Sequence, residues 1–251
     1  MKHLFYITVV FFLSQSVAFA QMTDESFNDI KITNIGIGYG IEFPFGNMAD
    51  KFGSNLKFTL GADRITKSNY VYGVDFSLMF GSNTKQDPIS NLRLSNNEIL
   101  GADNEYADVF IRERGMYLGA HFGKIFKLSE STRSGIRTTI GLGVFQHKYR
   151  IIDEARSLPQ IENDYLKGYD HLNRGLAIRE FIGYQHISKD KRINFIIGLE
   201  FTQAFTKNVR AVDFNTGNQL SKDLNFDGLI GIKGAFFLPF FDDYTDEEIF
   251  Y

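Results

Sequence analysis

The chain has 251 residues, including 23 Gly, 26 Phe and 12 Tyr, with no Trp and no Cys. The absence of cysteine excludes a disulfide framework, a thiolate metal site and a Cys nucleophile, and a net charge of −3 with a pI near 6.0 offers no basic footprint for nucleic acid. The length suits one barrel-sized domain, and the mean hydropathy of −0.17 argues against a bundle of membrane helices but not against a barrel, whose strands alternate apolar with polar residues.

The N-terminus reads as an export signal. Lys2 and His3 precede an apolar run from Leu4 to Phe12, followed by a polar break at Ser14, Gln15 and Ser16 and by small residues at Ala18 and Ala20, the pattern a signal peptidase cleaves. The run is too short to span a bilayer, which takes roughly 20 apolar residues, so residues 1–20 are expected to be removed and the mature chain to begin at Gln21, with 21–32 as a periplasmic lead-in.

From there the sequence has a period of two. Ile35, Ile37, Tyr39, Ile41 and Phe43 alternate with Gly36, Gly38, Gly40 and Glu42, which gives a strand one greasy face and one small or charged face. The pattern returns from Leu56 to Ala62, from Tyr70 to Phe80, from Met116 to Phe122, from Ile136 to Val144, less cleanly from Leu176 to Tyr184, from Ile193 to Phe201 and from Phe226 to Phe240. Most of these runs match the roughly 9–11 tilted residues that cross a membrane and exceed an ordinary strand of about 5–6. Gly and charged residues occupy the face opposite the bulky one, the reverse of a soluble sandwich. Aromatics such as Phe43, Phe45, Tyr70, Phe80, Phe236, Phe240 and Phe241 stand near run ends, where rings suit the headgroup zone.

The intervening links alternate in length. Gly46 to Ser54, Ser82 to Arg114, Lys148 to Arg174 and Lys207 to Asp223 are longer than Asp63 to Asn69, Lys127 to Ser134 and Ser188 to Arg192. Such sorting belongs to an up-and-down barrel with both termini in the periplasm, short turns on that side and longer loops outside. The expectation is therefore an all-β transmembrane antiparallel barrel of about eight strands over residues 33–241, with 242–251 as a tail.

Three stretches, Gly36-Ile37-Gly38-Tyr39-Gly40, Phe181-Ile182-Gly183-Tyr184-Gln185 and Arg192-Ile193-Asn194-Phe195-Ile196-Ile197-Gly198, lead to a Phe-rich last strand and an aromatic tail. In this frame the chain resembles the small eight-stranded outer-membrane barrel proteins of Bacteroidota, with an OmpA/OmpX-like architecture. The resemblance implies fold and outer-membrane location and brings no catalytic residues with it. Where such barrels usually close on an aromatic, Phe240 and Phe241 are here followed by Asp242 to Tyr251.

Eight strands enclose a space that side chains can fill. By parity Glu42, Asp75, His121, Arg137, Arg179, Glu200, Asp227 and Lys233 point inward, and charges in so enclosed a space must be paired. They are expected to form a salt-bridged plug, the alternative being a narrow ion path or small-ligand site. Glu180 falls on the lipid side, implying a bulge, a shifted register or a covering partner.

Catalysis would need a nucleophile, a base and an orienting group within reach. Its best candidates are His147, Asp153, Ser157, Asp164, Tyr169, Asp170 and His171, which match no lipid-hydrolase or acyltransferase motif. No cofactor and no metal spacing is indicated.

Two segments outside the runs remain. Asn91 to Leu94 and Tyr106 to Ile111 are expected to extend the barrel wall beyond the membrane. The tail, with Asp242, Asp243, Tyr244, Phe250 and Tyr251, is a candidate partner-binding segment. The partners anticipated are outer-membrane lipids and a larger outer-membrane secretion or assembly complex. The sequence thus points to a non-enzymatic structural or accessory barrel, with a lipid-modifying or ligand-binding barrel as the alternative.

Overall fold

A computed structural model describes residues 30–129, 132–162, 164–188 and 194–241. The expected signal segment, with its expected cleavage site at Ala18, Ala20 and Gln21, and the tail from Asp242 to Tyr251 lie outside these residues. Eight strands follow one another: β1 Ile32–Gly46, β2 Asn55–Ile65, β3 Tyr70–Gly81, β4 Val109–Lys127, β5 Gly135–Asp153, β6 Asn173–Ile187, β7 Asn194–Asn208 and β8 Asn225–Phe241. Each pairs antiparallel with the next, and β1 pairs with β8 from Ile32 opposite Phe241 to Gly46 opposite Asp227, so the sheet closes into a barrel with no free edge.

The closure has a defined stagger. Following paired residues once round from Gly36 passes through Gly61, Asp75, Gly119, Gly143, Ala177, Ala204 and Asp227 and arrives at Gly46, ten residues further along β1. Such a shear tilts the strands by roughly 35–45° and sets the barrel's diameter. The residues on this path are small apart from the two aspartates, which leaves room for long side chains from other levels. A Cβ at Gly143 would lie 2.7 Å from the Tyr117 ring, so glycine there accommodates a buried tyrosine.

The pleat sends alternate side chains to opposite sides, and their chemistry is inverted relative to a soluble protein. Tyr39 is 66% exposed, Leu142 62% and Ile232 58%, whereas Lys57 and Glu200, which face the interior, are 1% exposed. The outer wall carries the greasy positions anticipated from the period-two runs. A concavity of about 840 Å³ on this wall runs over Ile37, Leu60, Val74, Leu118 and Phe236.

Strand lengths depart from the sequence reading. β4 and β5 each run for 19 residues, so 109–114 and 148–153, expected as parts of links, are paired wall, with Val109 opposite Asp153 and Arg114 opposite Lys148. Of the two segments expected to extend the wall, Phe110 and Ile111 do so as part of β4, and Tyr106 forms an isolated bridge to Leu100. Asn91 does not, because Ser90–Leu92 turns as a 3-10 helix.

In β6 the pairing runs without interruption against both neighbours, from Asn173 opposite Asn208 to Ile187 opposite Asn194 and from Gly135 opposite Gln185 to His147 opposite Asn173. There is no bulge, and Glu180 faces outward, half-buried, in the middle of the strand.

Apolar clusters occupy the interior at both ends. Ile32, Ile65, Val71, Ile125, Ile187 and Phe237 pack together where the strands meet the short turns. Met48 and Phe52, from the link after β1, pack with Met79, Tyr117, Phe145, Tyr149 and Leu229 towards the long-loop end. Beyond it, Ile89, Ile99, Ile151, Leu158, Ile161 and Tyr169 form a separate core that holds the long loops together.

Candidate functional site

Between the two interior clusters lies a layer of charge. At its centre the Lys57 ammonium donates to Glu42 at 2.5 Å and to Glu200 at a very short distance. Arg179 Nε and Lys233 Nζ each form an ion pair with a Glu200 carboxylate oxygen at 3.3 Å. The Arg179 guanidinium lies 3.5 Å over the Tyr117 ring and donates to Ser77 Oγ at 2.9 Å and to Thr202 Oγ1 at 3.3 Å. Stacking, hydrogen bonds and ion pairing together compensate the large cost of burying a guanidinium.

Towards the short turns the layer continues through His121, whose Nδ1 lies 2.8 Å from Asp75 Oδ2 and whose Nε2 lies 3.1 Å from Arg137 Nη2. Arg137 Nη1 donates to Asp63 Oδ2 at 2.7 Å and to Gln185 Oε1 at 3.2 Å, and Asn34 donates to Asp63 at 2.8 Å. Four cations, Lys57, Arg179, Lys233 and Arg137, thus face four carboxylates, Glu42, Glu200, Asp75 and Asp63. The four cations and the four carboxylates balance in number, which such an enclosed environment favours.

Two small cavities adjoin this layer. One of about 20 Å³ is bordered by Asp75, Tyr117, His121, Arg179 and Glu200, and one of about 40 Å³ by Asn34, Thr59, Asp63, Arg137 and Lys233. A water needs at least ~10–15 Å³ of such space, so these volumes hold a few waters and no larger solute. Arg137 Nε and Arg179 Nη2 are buried without a hydrogen-bond partner in the protein, and water in these cavities would satisfy them.

Eight interior residues are read from strand parity, and the structure places them in two groups. Glu42, Asp75, His121, Arg137, Arg179, Glu200 and Lys233 belong to the central layer. Asp227 does not: it stands nearer the long loops, where its Oδ2 lies 2.8 Å from His147 Nε2 and accepts from Thr206 Oγ1 at 2.5 Å. Close to that end Glu113, fully buried, accepts from Asn55 Nδ2 at 3.2 and 3.4 Å. Lys57, at the centre of the network, and Asp63, at its edge, were missed. The greasy positions Leu56, Phe58, Leu60 and Ala62 on β2 already imply by parity that both point inward.

The candidate catalytic residues of the third long loop are dispersed. Asp170 takes a bidentate pair from Arg210, at 2.8 and 2.7 Å, and a contact from Lys148 at 3.3 Å. His171 Nε2 lies instead 3.1 Å from Asp213 Oδ1. Burial alone would raise the Asp213 carboxyl, but hydrogen bonds from His171, the Asn215 N–H and Thr216 hold it below the ordinary carboxylate value. His147 points into the barrel, Asp153 accepts from the Leu158 N–H at 2.9 Å, and Asp164 pairs with Lys167 at 2.5 Å on the surface. Tyr169 packs edge-on against Phe214 at 5.7 Å, and Ser157 is buried beside Gly101.

These contacts join separate loops. Asn215 accepts from Ser90 Oγ at 3.0 Å and from the Asn91 N–H at 2.8 Å, and the Ala102 N–H donates to the Ser157 carbonyl at 2.8 Å. Links 82–108, 154–172 and 209–224 therefore form one cap over the long-loop mouth. Among the described residues no group of three or more His, Asp or Glu is arranged to hold a metal ion.

No family model matches the chain, and no curated protein matches it. Solved structures similar to it include Neisserial surface protein A, at 8% identity over 81% of this chain and 96% of that one, with a TM-score of 0.40. Another is Ail, the attachment invasion locus protein of Yersinia pestis, in complex with the heparin analogue sucrose octasulfate, at 10% identity over 82% and 98%, with a TM-score of 0.37. A third is the N-terminal β-barrel domain of Pseudomonas aeruginosa OprF, at 10% identity over 81% and 97%, with a TM-score of 0.31. At these identities and scores, function has to be read from the barrel's own residues.

Proposed function

We propose that this chain is a non-enzymatic integral outer-membrane barrel, sealed inside, that serves as a structural or accessory component of the cell envelope or of an outer-membrane secretion or assembly complex. The observation that carries this reading is the inversion of polarity across the wall. Along the same strands Ile37, Tyr39, Leu142, Leu199 and Ile232 are exposed while Glu42, Arg137, Glu200 and Lys233 are buried. In water such a wall would expose a continuous apolar surface far larger than a soluble monomer tolerates; in a bilayer it is the face that lipid requires. Closure satisfies every wall strand's hydrogen bonds in hydrocarbon, where a free sheet edge could not persist.

The sealed interior supports a role other than solute passage. The balanced ion network lies between two apolar clusters, and the long-loop cap stands above the upper one. The non-enzymatic reading is supported by the way Asp170 and His171 are separated, each engaged by a partner from 209–224. In this proposal the termini and short turns face the periplasm and the cap faces outward, following the sorting of link lengths. The acidic, aromatic segment Asp242 to Tyr251 is the part we assign to contact with a larger complex.

Two experiments test the proposal. In planar bilayers the purified chain should give no stepwise conductance above that of the bare membrane; open-pore steps would refute a sealed barrel. Extracted in mild detergent, it should bring down a stable partner that is lost on deletion of 242–251. A monomer whose removal from the cell alters lipid chemistry would instead favour an enzyme.

A further inference from the structure

Above the apolar belt, the outward positions of four adjacent strands become basic. On β4, Leu118 and Met116 give way to Arg114 and Arg112, and on β5, Leu142 and Val144 give way to Lys148 and Arg150 beyond Gln146. On β6, Ile178 and Leu176 are followed towards the cap by Arg174, and on β7, Phe205 by Lys207. The register sets like charges directly opposite one another: Arg112 faces Arg150, Arg114 faces Lys148, and Arg174 faces Lys207. Directly opposed side chains on one face have Cβ atoms about 4.5–5.5 Å apart, and like charges so placed destabilise a sheet.

The protein does little to relieve this. Lys148 reaches the Asp170 carboxylate at 3.3 Å. Arg174 donates to a neutral group, Gln146 Oε1, at 3.0 Å, and Arg114 lies 4.8 Å over the Phe80 ring and donates to the Glu113 carbonyl. Among the described residues Arg112, Arg114, Arg150, Arg174 and Lys207 form no ion pair with a carboxylate. Arg112, Arg150, Arg174 and Lys207 are solvent-exposed. On the remaining wall the corresponding rim carries aromatics instead, with Phe43 and Phe45 on β1, Phe80 on β3 and Phe226 on β8.

We infer that this basic row binds phosphate of net negative charge, that of anionic lipid headgroups in the outer leaflet. The inference deepens the membrane reading and rests on it: a row that begins where the apolar belt ends is at headgroup level, with acyl chains against Leu118, Val144, Leu176 and Phe205 below it. Phosphate suits the site chemically, because guanidinium groups grip its oxygens in pairs and because an anion between opposed arginines turns repulsion into shared attraction. A soluble anionic polymer would be met by basic residues on the cap rather than by a row along the belt's edge.

The full-length chain, folded in detergent micelles, is titrated with phosphatidic acid and with phosphatidylcholine, and bound lipid is counted by native mass spectrometry. The chain should retain phosphatidic acid in preference to phosphatidylcholine. Arg112→Gln combined with Arg150→Gln should weaken that retention by about tenfold or more, as loss of two headgroup-level charges implies. Lys124→Gln, at the short-turn rim, should leave it unchanged. Equal retention of both lipids, indifference to the double change, or binding of glycerol 3-phosphate as tight as that of phosphatidic acid would overturn the assignment. Unboiled gel migration separates the two levels of failure. A compact barrel with no preference for phosphatidic acid overturns this assignment alone, whereas a wild-type chain with no compact form overturns the membrane reading and this assignment with it.

Discussion

Lys57 shows how a single buried cation stabilises the barrel. It lies between Glu42 and Glu200, and no cation among the described residues other than Lys57 pairs directly with Glu42. Replacing Lys57 with Met should destabilise the folded state by about 3–5 kcal/mol, because it leaves a buried carboxylate uncompensated. Adding Glu42→Gln should restore part of that loss, and urea titration of both variants in lipid vesicles would measure the non-additivity. A pH-dependent counterpart lies in the cap at Asp213, whose carboxyl is held below its ordinary value. A depressed carboxylate stabilises above its unfolded pKa and loses that contribution as pH falls through its folded pKa. Link 209–224 should therefore resist proteolysis at neutral pH and become susceptible in acid, below about pH 4. Asp213→Asn should be cut readily at neutral pH as well; equal resistance of the variant would show that Asp213 does not hold the loop.

At the scale of the strand, β6 carries the feature least suited to a membrane. Glu180 faces outward from its centre between Ile178 and Ile182, opposite Ile140 on β5 and Phe201 on β7, and its Oε1 is buried without a hydrogen-bond partner. A carboxyl at mid-belt costs stability in lipid, less than the 2–4 kcal/mol of a basic residue. Glu180→Leu should accordingly stabilise the isolated barrel in vesicles by about 1 kcal/mol, read as a shift in the urea midpoint; destabilisation would mean that the carboxyl has a partner in the membrane. The strands also show what periodicity conceals. Greasy alternation marked β4 as far as Met116 and β5 as far as Val144, yet both continue as paired wall to Val109 and Asp153. Above the belt the outward face is no longer bound to be apolar, so Arg112, Arg114, Lys148 and Arg150 break the pattern while the hydrogen-bond ladder continues.

For the molecule as a whole, the fold was legible because a wall between lipid and a charged interior imposes the same two-residue rhythm on every strand. Sidedness was legible as well: parity put Glu42, Arg179 and Glu200 inside. Pairing was not. Lys57 meets Glu200 across 143 positions of sequence because the ring closes with a shear of ten residues, a property of the register rather than of any segment. The same limit applied to the cap, where Asp170 and His171 adjoin in sequence but engage Arg210 and Asp213 separately. Asp227 likewise shared the parity of the central charges and yet belongs with His147 at the long-loop end. The central claim is that these strands close into a barrel that lives in a membrane. It is tested most directly by gel migration of the full-length chain folded in lipid vesicles, with and without boiling. The account predicts a compact, fast-migrating band that boiling converts to the full-length position; a single unchanged band would contradict it.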